Sequence, residues 1–155
     1  RGLSQAADMD YTEAKNFIDN YFELRRPIKD YLGNVLEKAR HVGYVETLFG
    51  RRRPTPDVLS SNFIVRTGAE RAAQNMPIQG TEADLMKRAM IRVNEVLPKG
   101  ANMTMQVHDS LIVECDEEME TEVGNILKRE MESVAPELNV RLVVDVTVGK
   151  NWGEL

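Results

Sequence analysis

Only one cysteine, Cys115, occurs in the 155 residues. No disulfide can form within the chain, and this usage fits a reducing cytoplasm. Cys115 falls in an alternating apolar pattern, where a buried, inert thiol is expected. No apolar run approaches the roughly 20 residues that cross a bilayer, so no membrane partner is expected. Arg1 to Ala7 lacks the apolar core of a secretory leader. There is no internal repeat and no low-complexity stretch. With 42% hydrophobic and 29% charged residues, the composition is that of an ordinary soluble globular domain with a real core.

The net charge is −5, which at first argues against a nucleic-acid partner. The distribution says more. Residues 1–100 hold 16 basic against 13 acidic side chains, and residues 101–155 hold 4 against 12. The two parts face different surroundings, and local basic clusters decide phosphate contact more than the total does.

Met103 to Cys115 (MTMQVHDSLIVEC) is the most informative stretch. Met103, Met105 and Val107 alternate with Thr104, Gln106 and His108. Beyond a short polar break, Leu111, Val113 and Cys115 alternate with Ile112 and Glu114. Period two means strand, so the segment reads as a β-hairpin with a turn at His108-Asp109-Ser110. A carboxylate on a rigid turn is placed to hold a hard cation such as Mg²⁺. Spacing alone favours the plainer reading, in which Asp109 is a turn-forming residue and nothing more.

Around this hairpin the chain alternates helix and loop. Asp10 with Glu13 has the spacing of a helix cap, followed by the apolar stripe Tyr11, Ala14, Phe17, Ile18, Tyr21 and Phe22, expected to be core. Pro27 suits the first turn of a second helix with Ile28, Tyr31, Leu32, Val35, Leu36, Ala39 and Val42 on its buried face, ended by Gly43. The two helices are expected to pack as a hairpin. Tyr44 to Leu48 reads as a short strand. Arg51, Arg52 and Arg53 follow Gly50 and could clamp phosphate or form a solvated loop. A third helix is expected from Ser60 or Ser61 to Met76, with Phe63, Ile64, Ala69, Ala72, Ala73 and Met76 as its apolar members. Pro77 should break it. Thr81 and Asp84 then cap a fourth helix, closed by Pro98-Lys99-Gly100. Asp116 to Val134 reads as a helix with a solvated acidic face. Val140 to Val148 reads as a strong strand, with Trp152 packed back on the sheet.

Four segments together resemble the family A DNA polymerases: Gly43–Arg53 (GYVETLFGRRR), Ala69–Asp84 (AERAAQNMPIQGTEAD), Gln106–Glu114 (QVHDSLIVE) and Val143–Glu154 (VVDVTVGKNWGE). The resemblance covers essentially the whole chain, in order. It implies an α+β fold in which residues 1–76 are the later helices of the fingers and residues 77–155 part of a palm, with helices packed on a small antiparallel sheet.

It also implies roles. Asp109 matches the palm aspartate that holds two Mg²⁺ ions beside the primer 3′ end. His108 and Gln106 match residues near the primer terminus. Arg71, Asn75 and Gln79 match the polar set at the minor groove and templating region, where acceptors recur for every base pair. Arg51, Arg52, Arg53 and Arg66 would touch the phosphate backbone, a salt-sensitive and sequence-neutral contact. The implied partners are primer-template DNA and deoxynucleoside triphosphates. The implied chemistry is two-metal phosphoryl transfer, which needs at least two converging carboxylates.

Two departures matter. Ser110 stands where the family usually has Glu. A hydroxyl there can bond a metal-bound water but brings no charge. The family's other metal aspartate, and the helix that grips the nucleotide, would lie before Arg1. The chain alone is therefore expected not to polymerise without the upstream part of the domain, in the same or a separate chain. The competing readings are a non-catalytic DNA-binding relic and a replication module that docks through the acidic helix. Retention of Asp109 beside His108 favours the catalytic reading, because an acid repels phosphate unless a metal lies between them.

Overall fold

In the computed structural model, which describes residues 2–155, the chain divides into two compact units: one comprises the residues up to Glu46 with Gly50–Pro77, and the other Thr47–Phe49 with Ile78–Leu155. Arg1 lies outside the described residues.

In the first unit, α1 (Gly2–Ala6) precedes α2 (Tyr11–Leu24), whose N-cap Asp10 accepts the Thr12 amide at 2.8 Å. Arg25 alone separates α2 from α3 (Arg26–Val42). Gly43, at φ 78°, ends α3 in the left-handed conformation expected of a C-terminal glycine. Strand β1 (Tyr44–Glu46) pairs antiparallel with β2 (Arg52–Pro54). A 3-10 turn (Pro56–Leu59) then leads to α4 (Phe63–Val96), which begins later than the serines suggest because the Asn62 carboxamide oxygen accepts the Ile64 and Val65 amides. Val35, Ala39, Val45, Val58, Ala73 and Met76 make the core of this unit.

The apolar stripe of α2 is not core. Ala14 is its one buried residue, whereas Phe17 is 55% and Leu24 82% exposed, with Tyr11, Ile18 and Tyr21 also open. Ile28, Tyr31 and Val42 on α3, and Phe63 and Ile64 on α4, are likewise exposed. Helical spacing defines an apolar face, but burial needs a covering element, and the described residues leave these faces uncovered.

Pro77 does not end a helix. It lies inside α4, and the division between the units falls there. Proline in a helix interior costs about 3 kcal/mol. Packing on either side overrides that penalty: Met76 belongs to the first core, and Thr81 and Asp84 are held within the second unit. Those two residues are therefore not a cap. Asp84 accepts the Thr47 hydroxyl at 2.8 Å, and the Thr81 hydroxyl accepts the Leu48 amide at 2.9 Å.

The rest of the second unit is β3 (Asn102–Val107), β4 (Ser110–Glu114), a 3-10 turn (Glu117–Met119), α5 (Glu120–Glu132), an extended tail and a terminal 3-10 turn (Trp152–Glu154). Ala89, Val134 and Ala135 form a core with Phe49, Leu85, Met131, Leu138 and Leu142 around it. Residues 140–148 are not a strand: among the described residues no ladder partner pairs with them, and alternation without a partner cannot make a sheet. Leu142 packs on the core, and the Val144 amide donates to the Glu132 carboxylate at 3.1 Å, but Val140, Val146 and Val148 are exposed. Trp152 is 61% exposed and does not pack back. Cys115 is half-buried.

Candidate functional site

The hairpin forms where its alternation predicts. Val107 faces Ser110 across the ladder, so His108 and Asp109 alone make the turn and Ser110 opens β4. So tight a connection needs a positive φ. His108 supplies it, at φ 51°. The Gln106 carboxamide donates to the His108 carbonyl at 2.5 Å and ties the turn down. The Asp109 carboxyl stands exposed at the tip beside the exposed His108 and Ser110 side chains.

The alternation is interrupted once. Met103 faces Val113 and Met105 faces Ile112, so two steps on β3 match one on β4. Thr104 is the inserted residue of a β-bulge, and its hydroxyl bonds the Ile112 carbonyl at 3.3 Å. Met103 and Met105 therefore do not share a face, and Met105 is exposed.

The arginine run is divided by the strand it sits on. Successive side chains of a strand point to opposite faces, and residues directly opposite across the ladder share one. Glu46 faces Arg52, and the buried Val45 faces Arg53. The Arg52 guanidinium lies 4.5 Å from the Tyr44 ring centroid and 3.4 Å from the Glu46 carboxylate. Lys38 bonds the same carboxylate and lies 5.7 Å from the same ring. The Lys38 hydrogen bond, aided by the Lys38 and Arg52 charges, holds Glu46 below the usual carboxylate range. Arg53 is exposed.

On α4, Arg66 is half-buried, bonds the Ser60 carbonyl at 2.8 Å and leans 5.8 Å from the Phe63 ring. Arg71 and Asn75, four apart, share one exposed helical face in the first unit, and Gln79 is exposed on α4 in the second. The structure thus gathers Gln106, His108, Asp109 and Ser110 at one tip, and Arg71 with Asn75 on one face. Cavities of about 250 and 360 Å³ are lined by none of these residues.

Sequence reasoning missed the Lys38–Glu46–Arg52 network and the Thr47–Asp84 pair. Reading Tyr44–Glu46 and Arg52–Pro54 as two arms of a hairpin about Gly50 would have set Glu46 opposite Arg52. Nothing local in the sequence pairs Thr47 with Asp84.

Asp109 offers one hard oxygen ligand, chemically suited to a divalent cation. Among the described residues no group of three or more His, Cys, Asp or Glu converges on one point. The tip by itself therefore presents one carboxylate and not a converging set.

The sequence model of DNA polymerase family A matches residues 1–154. The chain is 47% identical over 153 residues to the thermostable DNA polymerase I of Thermus filiformis, covering 98% of this chain. It is 44% identical over 156 residues to DNA polymerase I of Streptococcus pneumoniae, covering 99%. It spans 18% of the length of both relatives. Among solved structures, the polymerase domain of Pol1 from M. smegmatis, in complex with DNA primer-template and dNTP, is similar at a TM-score of 0.83. That similarity carries 40% identity and covers 91% of this chain and 25% of the other.

Proposed function

This chain belongs to DNA polymerase family A, and from that premise we propose that it is part of a template-directed DNA polymerase, adding deoxynucleotides to a primer 3′ end. The observation that carries the proposal is the exposed Asp109 on a two-residue turn, in a segment that matches the family from end to end. On this reading residues 1–76 are fingers and 77–155 palm, a division supported by the change of unit at Pro77.

Each residue group has a task. Arg71, Asn75 and Gln79, exposed along α4, would meet the minor groove. The arginine segment at β2, with Arg66, would carry phosphate charge. Gln106 and His108 hold and flank the turn that presents Asp109 toward the primer terminus. Asp109 would be one ligand of a pair of Mg²⁺ ions, which when bound supply positive charge to the reacting phosphoryl group. The remaining carboxylate ligand would come from outside these residues. That requirement is supported by the absence of a converging ligand group among the described residues and by the 18% coverage of the relatives. Ser110 has no charge to add, and activity should tolerate it with altered metal or primer affinity.

Primer extension tests the proposal. With Mg²⁺, the isolated chain should incorporate nothing, and the chain completed by the upstream half of a polymerase domain should extend a primer. Extension by the isolated chain would refute the need for outside ligands. A completed protein that binds primer-template but never extends would point to a non-catalytic DNA-binding module. In the completed protein Ser110→Glu should change metal dependence or primer affinity, and no change in either would remove that position from the site.

A further inference from the structure

Adjacent arginines on a strand cannot serve one phosphate together, because their side chains leave by opposite faces. We propose that Arg52 is not a DNA ligand but the positioning residue for Arg53, a refinement that rests on the DNA-binding reading above. Three observations carry it. Arg52 lies directly across the ladder from Glu46 and within 3.4 Å of its carboxylate. Its guanidinium also covers the Tyr44 ring at 4.5 Å. Lys38 on α3 grips the same carboxylate and approaches the same ring, so the hairpin is tied to the helix through one anion and one aromatic face. A guanidinium held by a carboxylate and a ring must surrender both to reach a phosphate. Both side chains are exposed, but Arg53 has the other face of β2, and among the described residues no carboxylate or ring engages it there. Pinning Arg52 fixes the roll of β2, and the roll of β2 decides where Arg53 points.

The test is the salt dependence of binding to a primer-template duplex by the 155-residue chain. Removing one phosphate contact lowers the slope of log K against log salt by about 1. Arg53→Gln should show that loss. Arg52→Gln should weaken binding with its slope unchanged, and Arg52→Gln with Glu46→Gln should weaken it less than the two separate effects combined, since both break one network. An Arg52→Gln slope reduced as far as that of Arg53→Gln would overturn the inference.

Where Arg52→Gln fails to fold, the wild-type chain decides. On titration with the duplex, the side-chain Nε–H resonance of Arg53 should shift and that of Arg52 should stay. Equal shifts overturn the inference while leaving the DNA reading intact. A chain with no salt slope and no shifted arginine overturns both.

Discussion

Replacing Thr47 with valine removes one oxygen and nearly keeps the shape of the side chain. That oxygen does two things: it donates to the Asp84 carboxylate at 2.8 Å and accepts the Phe49 amide at 3.2 Å. Thr47 is 4% and Asp84 6% exposed, so water cannot readily substitute. A hydrogen bond to a charged group contributes about 1.5–3 kcal/mol, and a neutral one about 0.5–1.5 kcal/mol. Thr47→Val should therefore destabilise by roughly 2–4 kcal/mol, which for a chain of this size lowers Tm by on the order of 10 °C. Thr47→Ser keeps both bonds and loses one methyl, for about 1 kcal/mol. Urea unfolding followed by circular dichroism at two or more temperatures measures both variants, and the urea dependence should keep its slope. If valine costs no more than serine, the buried pair is not what holds Thr47–Phe49 against α4.

The hairpin tip gives two further expectations. Asp109→Asn should abolish primer extension in the completed polymerase while changing the chain's stability by less than about 0.5 kcal/mol, because the side chain is exposed. Extension at the wild-type rate would remove Asp109 from the reaction. His108 holds φ 51°, which a β-branched residue tolerates poorly, so His108→Val should be about 1–2 kcal/mol less stable than His108→Gly by the same unfolding assay. Equal stabilities would mean the turn relaxes freely. Acid should weaken the fold in a defined direction. Asp10 is held low chiefly by the Thr12 amide, Glu46 by the Lys38 hydrogen bond, and Glu137 by its own backbone amide and then by Arg88. Carboxyls depressed in the folded state add stability above the ordinary range near pH 4, and that stability is lost as pH falls through it and below. Melting followed from about pH 6 to about pH 3 should show the loss, and Glu46→Gln should flatten it. An unchanged profile in that variant would exclude the Lys38–Glu46 bond as a source.

What could be read in advance was what depends on neighbours in sequence. Asp10, Gly43 and the turn at His108-Asp109 each act within a few residues, and each formed as expected, though the alternation of β3 is broken by the bulge at Thr104. Features set by distant partners were illegible or misleading. Pro77 carries a strong local stop signal, overruled by packing on both sides of it. Thr81 and Asp84 have the spacing of a cap, yet serve Leu48 and Thr47. The valines of residues 140–148 and the aromatics of α2 have the right periods, but a period names a face and not what covers it. At the tip, residue types were legible, whereas the division between Arg52 and Arg53 needed the register of a ladder only three residues long on each strand.

The extra residue in β3 has a consequence for anyone altering this hairpin. Because Thr104 takes up one step without a partner, everything from Met105 to the apex is turned over relative to an unbroken alternation counted from Met103. Deleting that threonine would leave a more regular ribbon in which Met105, Gln106 and Val107 keep Ile112, Leu111 and Ser110 as partners, and so keep their faces. The unpaired step is thus the place where this strand can lose a residue without re-aiming its apex, whereas a deletion on the apex side of it would turn the remaining ladder over.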